Sequence, residues 1–153
     1  MDRAKLLNRL ENAWNDLQAS YAGLAEGYLD EPGVTDEWSI KDILAHVTVW
    51  EEEALKHLPH IAEGGRPSRY SVTYGGIDAF NALKTQENRR LTTTQVLARH
   101  RAIHQQLIDY IHTVPEDYFA TETRFRRRLR LDTYSHYPIH TQAIVAWRSR
   151  RAA

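Results

Sequence analysis

The sequence predicts an all-α protein: an antiparallel four-helix bundle with an extra short helix and a long loop between the second and third long helices. Three observations lead there. Apolar residues recur at alternating spacings of three and four in four long stretches, the period of a helix that buries one face. Two of those stretches open on a capping signature, and alternating strand patterns are nearly absent from the 153 residues. A chain of this length suits one domain, taken here as residues 1–153.

The first long helix carries Leu7, Leu10, Trp14, Leu17, Tyr21 and Leu24 on one stripe. Asp30-Glu31-Pro32-Gly33 breaks the pattern, because proline cannot continue a helix and glycine relaxes the turn. Ser39 and Asp42 resemble a capping box for the second helix, whose face continues through Ile40, Ile43, Leu44, Val47, Ala54, Leu58 and Ile61. That helix should end near Ile61 or Ala62. The segment from Glu63 to Gly76 reads as a long irregular loop around Tyr70 and Tyr74, and loops of that length in small domains are usually functional or mobile.

Ile77 to about Asn88 reads as the extra short helix. Thr92 and Gln95 then cap the third long helix, with Val96, Ile103, Leu107, Tyr110, Ile111 and Val114 on its face. Pro115-Glu116-Asp117 ends it, and the stretch from Thr121 to Arg130 is basic and weakly patterned. Asp132 or Thr133 is the expected cap of the last helix, along which Tyr137, His140, Ile144 and Trp147 repeat at 3-4-3 spacing. The long connection between helices two and three leaves room for a departure from simple up-down order.

Composition narrows the function. Twenty basic residues balance twenty acidic ones, for a formal net charge of +0, so no global field draws the protein to nucleic acid or an anionic membrane. Neither partner is expected. The absence of cysteine excludes thiolate ligands, a cysteine nucleophile and disulfides, and is compatible with a cytoplasmic address. No apolar run reaches the roughly 18 residues of a membrane span, and the amino-terminal residues show no export signal, which predicts a soluble, cytoplasmic protein. Glycine-rich phosphate loops, nucleophile elbows and dinucleotide fingerprints are missing as well.

Histidines are the most informative polar residues. His136 and His140 lie one helical turn apart on one face, and a third imidazole, His46, could complete a trio with an open position for water or substrate. Spacing alone does not select this set. His100 and His104 form a second pair of the same spacing, close to the apolar centre of helix three, and a helical wheel puts His46 on a flank of helix two beside Ile43 and Trp50. Asp42 and Asp132, one turn before His46 and His136, could support those rings, although capping is the commoner job for such positions.

Two motifs carry a family resemblance. Trp38-Ser39-x-Lys41-Asp42-x-Leu44-Ala45-His46-x-Thr48-x-Trp50-Glu51 opens helix two, and His136-Tyr137-x-x-His140-x-x-x-Ile144-x-x-Trp147 lies near the carboxyl end, with Phe80-Asn81 between. Together they resemble the DinB-like superfamily, nearest its ClbS/DfsB branch of colibactin self-resistance-like proteins. The resemblance implies a four-helix bundle, commonly a homodimer, in which His46, His136 and His140 bind a divalent metal such as zinc or nickel. It also implies activation of a thiol or water against an electrophilic small molecule, or, in the resistance branch, hydrolysis of a strained electrophile with less dependence on metal.

Trp50, Tyr137, Trp14 and Trp147 are the candidate lining of an aromatic substrate pocket, with core packing the favoured alternative for Trp14 and Trp147 on the main stripes. Glu51 is the candidate general base if helix two turns it inward. The run Arg124, Arg126, Arg127, Arg128 and Arg130 reads as a solvated loop, or as a contact for an anionic substrate group or a partner's carboxylates. Three functions follow: a metal-dependent enzyme acting on an electrophile with water or a thiol, a metal-independent hydrolase or sequestering protein for a reactive natural product, and a noncatalytic dimeric bundle.

Overall fold

A computed structural model describes residues 2–152, and no strand occurs among them beyond an isolated bridge between Thr35 and Trp38. Four long helices build the core: α1 (Arg3–Tyr21), and, after the single turn α2 (Glu26–Leu29), α3 (Ile40–Ala62). The turn α4 (Tyr70–Thr73) and the short α5 (Ile77–Asn88) then lead to α6 (Thr93–Thr113). Beyond α7 (Asp117–Ala120) and α8 (Arg124–Asp132), the chain closes with α9 (Tyr137–Ala152).

Local chemistry sets the best-defined boundaries. Ser39 accepts from the Asp42 amide at the start of α3 while Asp42 accepts from the Ser39 amide, and Thr92 and Gln95 do the same for α6. These reciprocal bonds occupy amides that a helix start otherwise leaves unpaired. The buried stripe of α1, Leu6, Leu10, Trp14 and Leu17, packs chiefly on α9, while Ile40, Ile43, Leu44, Val47, Ala54 and Leu58 of α3 face α6 and α8.

The long connection between α3 and α6 alters the order of directions. Thr48 meets His100 at 3.1 Å and Glu51 meets His104 at 2.9 Å, so residue numbers climb together and these two helices are parallel. Along α1 the numbers run oppositely, with Gln18 at His100 and Glu11 at His104. Trp14 against Tyr137 and Ser20 against Arg148 make α1 and α9 parallel. The bundle is therefore up-down-down-up, with antiparallel packing between the two parallel pairs. A crossover of this kind is one of the recognised ways to close a four-helix bundle.

Two sequence expectations need correction. The arginine run is helix α8, not a loop: Phe125 and Leu129, one turn apart, are buried against the core, and Thr123 caps the helix by accepting from the Arg126 amide. Nor does Asp132 or Thr133 cap the last helix with its side chain. Asp132 closes α8 and accepts from Arg128 Nε at 2.6 Å, while the Thr133 hydroxyl donates to the Leu129 carbonyl.

Candidate metal centre and cavity

His46 projects from the second turn of α3, His140 from the first turn of α9, and His136 from the turn just before it. The antiparallel packing of α3 on α9 brings the three rings together. His136 Nε2 lies 3.0 Å from His46 Nε2 and 2.9 Å from His140 Nε2, and one ligand atom from each residue falls within 4.8 Å of the others. Burial holds all three imidazoles neutral. It lowers His46 to about 2, with the neighbouring His136 and His140 adding repulsion, His136 to about 3, again with His140 opposing charge, and His140 to about 4.

This cluster suits a cation better than it suits itself. An sp2 ring nitrogen offers a single in-plane position, either a lone pair or an N–H, so His136 Nε2 can serve one of its two close neighbours well but not both. A shared cation satisfies all three lone pairs. At metal–nitrogen distances of about 2.1 Å, two imidazoles 90° apart on an ion lie about 3 Å from each other, near the spacing found here. His136 Nδ1 is buried near the Asp132 main chain without a well-directed hydrogen bond.

A cavity of about 400 Å3 opens beside the rings. His46 and His136 form part of its wall, joined by Trp50, Tyr70, Ile77, Asn81, Arg128, Leu131 and Asp132. The Trp50 indole donates to Asn81 Oδ1 at 2.9 Å. Arg128 donates to Asp132 and, through Nη2, to the Tyr70 hydroxyl at 2.8 Å, which in turn donates to Glu53 at 3.0 Å. Burial raises Asp132 to about 6 against the opposing pull of Arg128.

Of the aromatic residues expected to line a pocket, Trp50 alone does so. Trp14 and Trp147 are core residues on the α1–α9 seam, and Tyr137 is fully buried, edge-on to Trp14 and outside the cavity wall. Glu51 also requires correction. It turns inward, but onto His104, and the cavity wall does not include it. Asp42 is a helix cap. Sequence reasoning did not single out Asn81, Tyr70, Arg128 or Asp132 as cavity walls, since they come from α5, α4 and α8, whose packing on α3 leaves no periodic signal.

The other histidine pair serves the core. His100 donates through Nδ1 to Thr48 and accepts from Gln18 Nε2, which satisfies a neutral ring lowered to about 3 first by burial and then by nearby His104 and Arg101. His104 is flanked by two carboxylates, Glu51 at 2.9 Å and Glu11 at 2.5 Å, and stacks on Trp14 with ring centroids 3.6 Å apart. Burial works to lower its pKa, but the two carboxylates prevail and raise it. Burial likewise raises Glu51, with His104 opposing.

These shifts give a pH dependence with a definite sign. His46, His100, His136 and His140 have depressed folded values, so the stability they contribute is complete above their ordinary 6.5 and lost as pH falls. Glu51 and Asp132 are raised and work in the opposite direction, each returning up to one proton. Four depressed rings outweigh two raised carboxyls, so unfolding near pH 5 should take up protons on balance and stability should fall as the pH is lowered from 7 to 5. Urea unfolding of chelator-treated protein between pH 7 and 5 measures it; a flat profile would contradict the assigned neutral rings.

The sequence profile of the DinB superfamily matches residues 9–143. The chain belongs to the DinB superfamily. Solved structures agree on the fold: an uncharacterised protein from Escherichia coli UTI89 superposes with a TM-score of 0.82 at 14% identity, covering 99% of this chain and 95% of that one. DfsB, described as a sibling lethal factor precursor, gives 0.80 at 12% identity over 99% and 97%. The colibactin self-resistance protein ClbS gives 0.77 at 16% identity over 94% and 93%, in a crystal structure with double-stranded DNA. No curated protein matches the sequence.

The ClbS complex corrects one expectation. Excluding nucleic acid as a partner does not stand, because a protein of this fold has been crystallised on DNA. Net charge was the wrong guide. It averages over the whole surface, whereas phosphate contacts depend on the few cations that meet the backbone. Among the described residues no helix is long and apolar enough to cross a membrane.

Proposed function

We propose that this DinB superfamily member is a metal-dependent enzyme that acts on small electrophilic molecules, with His46, His136 and His140 as the metal ligands. The reading rests on one observation: three neutral Nε2 atoms converge at the edge of a cavity of about 400 Å3. That volume falls in the range of small-molecule sites. Zinc or nickel suits three imidazoles, and a divalent ion held there would activate water or a thiol as a nucleophile at neutral pH.

The protein's own groups supply the rest. The rings of Trp50 and Tyr70, with Ile77 and Leu131, give the substrate an apolar wall, and the Trp50–Asn81 bond fixes the indole. The three histidines need lose no proton to bind a cation, since burial already keeps them neutral. Glu51, engaged with His104, is not available to a molecule in the cavity.

Chelator-treated protein titrated with zinc and nickel tests the proposal, followed by assays with an epoxide probe in the presence and absence of a small thiol. Uptake near one ion per chain, with probe consumption that disappears when chelator is added, is the expected result. Consumption unaffected by chelator would shift the reading to the metal-independent hydrolysis implied by the resemblance of the sequence motifs to the resistance branch. Absence of both uptake and turnover would sink it.

A further inference from the structure

Most of the arginine run is consumed by the fold. Arg124 donates to the Gly64 and Gly65 carbonyls, Arg126 to the Phe119 carbonyl, and Arg130 to Glu122. Arg128 differs because it faces the cavity. Nε is held by Asp132 at 2.6 Å and Nη2 by the Tyr70 hydroxyl at 2.8 Å, while the guanidinium carbon lies 6.0 Å from the Trp50 ring centre and 5.8 Å from that of Tyr70. Such a group has little orientational freedom left to lose. Its Nη1 has no hydrogen-bond acceptor among the described residues, and is not enclosed by protein.

Asn81 presents a second free donor. The Trp50 indole can only donate, so the Asn81 oxygen must face it and the amide nitrogen is the outer atom. That nitrogen also lacks a protein acceptor, and Asn81 lies on the same wall system as Arg128. The acceptors on the cavity wall are largely engaged already: one Asp132 oxygen and the Tyr70 hydroxyl are held by Arg128, and the His46 and His136 Nε2 atoms face each other. The remaining lining is the apolar wall of Trp50, Tyr70, Ile77 and Leu131, with His46 and His136 at the metal end.

We propose that Arg128 and Asn81 form a carboxylate-binding subsite, so that the cavity selects small organic acids with an apolar body. The fixed guanidinium edge and the amide supply donors to the two oxygens, and the aromatic wall covers the carbon skeleton. A carboxylate is favoured over a neutral amide because it accepts from every free donor and brings none of its own. The proposal names the substrate class of the enzyme proposed above, and rests on that reading for its catalytic meaning, but the binding itself needs no metal.

Calorimetric titration of chelator-treated protein with 3-phenylpropanoate and with its primary amide tests the subsite apart from the metal. The acid should bind at least tenfold tighter than the amide. Asn81→Asp keeps an acceptor for the Trp50 indole but replaces the free donor with a charge, and should weaken the acid on the order of tenfold to a hundredfold while changing the amide little. Arg128→Lys, which keeps the charge but not the fork, should erase most of the acid's preference, with circular dichroism confirming that both variants fold. Equal binding of acid and amide, no binding of either, or acid binding that appears only with zinc and is indifferent to both substitutions would each overturn the proposal. Unaltered zinc uptake by Asn81→Asp keeps this outcome separate from that of the metal centre.

Discussion

His140→Ala is expected to abolish stoichiometric zinc or nickel uptake while leaving the bundle folded. Its Nε2 is one of the two that lie within 3.0 Å of His136 Nε2, so removing the ring leaves two imidazoles and a breach at the base of α9. Changes that merely touch a ligand's hydrogen-bond partner cost metal sites roughly 10–100-fold in affinity, and loss of a ligand itself should cost more than the upper figure. Stability should move less than affinity, since a buried histidine without a formal charge is exchanged for a small apolar residue. Elemental analysis and competition with a chromophoric chelator would measure the effect. Wild-type affinity in His140→Ala would remove the trio as the metal site, whereas the parallel variant His100→Ala, whose ring is saturated by Thr48 and Gln18, should bind metal normally.

That contrast also shows what the sequence could and could not convey. The two histidine pairs have the same spacing, so periodicity offered no way to rank them. What separates them is the company brought by other helices: His100 and His104 meet a threonine, a glutamine and two carboxylates from α1 and α3, while His136 and His140 meet another imidazole. The family motif supplied that ranking, and the structure gives its physical basis. Boundaries governed by neighbouring residues were legible, as with Ser39–Asp42 and Thr92–Gln95, because a capping box is complete within four residues.

Helix α8 was illegible for the opposite reason. Apart from the Arg128–Asp132 bond, its arginines find their acceptors outside the helix, at Gly64, Tyr70, Phe119 and Glu122, so charge density imitated a solvated loop. A faint signal existed. Thr123 as cap, Phe125 and Leu129 one turn apart, and Arg128 and Asp132 at the same spacing together mark one short amphipathic helix. The cavity wall was hidden with it, since Arg128 and Asp132 acquire their meaning only when α8 packs on α3 beside Trp50.

The largest loss of stability is expected when His104 is replaced alone. Glu51 is fully buried and its Oε2 accepts from His104, while Oε1 and the Tyr137 hydroxyl are enclosed with no well-formed hydrogen bond. His104→Phe can still stack on Trp14 but strips Glu51 of its charge partner, and breaking a buried pair in this way costs about 3–5 kcal/mol. Glu11 suffers less because its side chain is 43% exposed and can turn to water. Adding Glu51→Leu should then restore most of the loss, since an apolar pair of similar volume removes the need to desolvate a charge. Urea unfolding of the single and double variants at pH 7 decides it: additive losses would mean that His104 and Glu51 contribute through packing and not through their charges. The triad spans α1, α3 and α6, and α3 also carries His46 to the metal cluster. The double variant should therefore retain zinc affinity if the apolar exchange preserves the placement of α3, and lose it in proportion to any shift of His46 against His136.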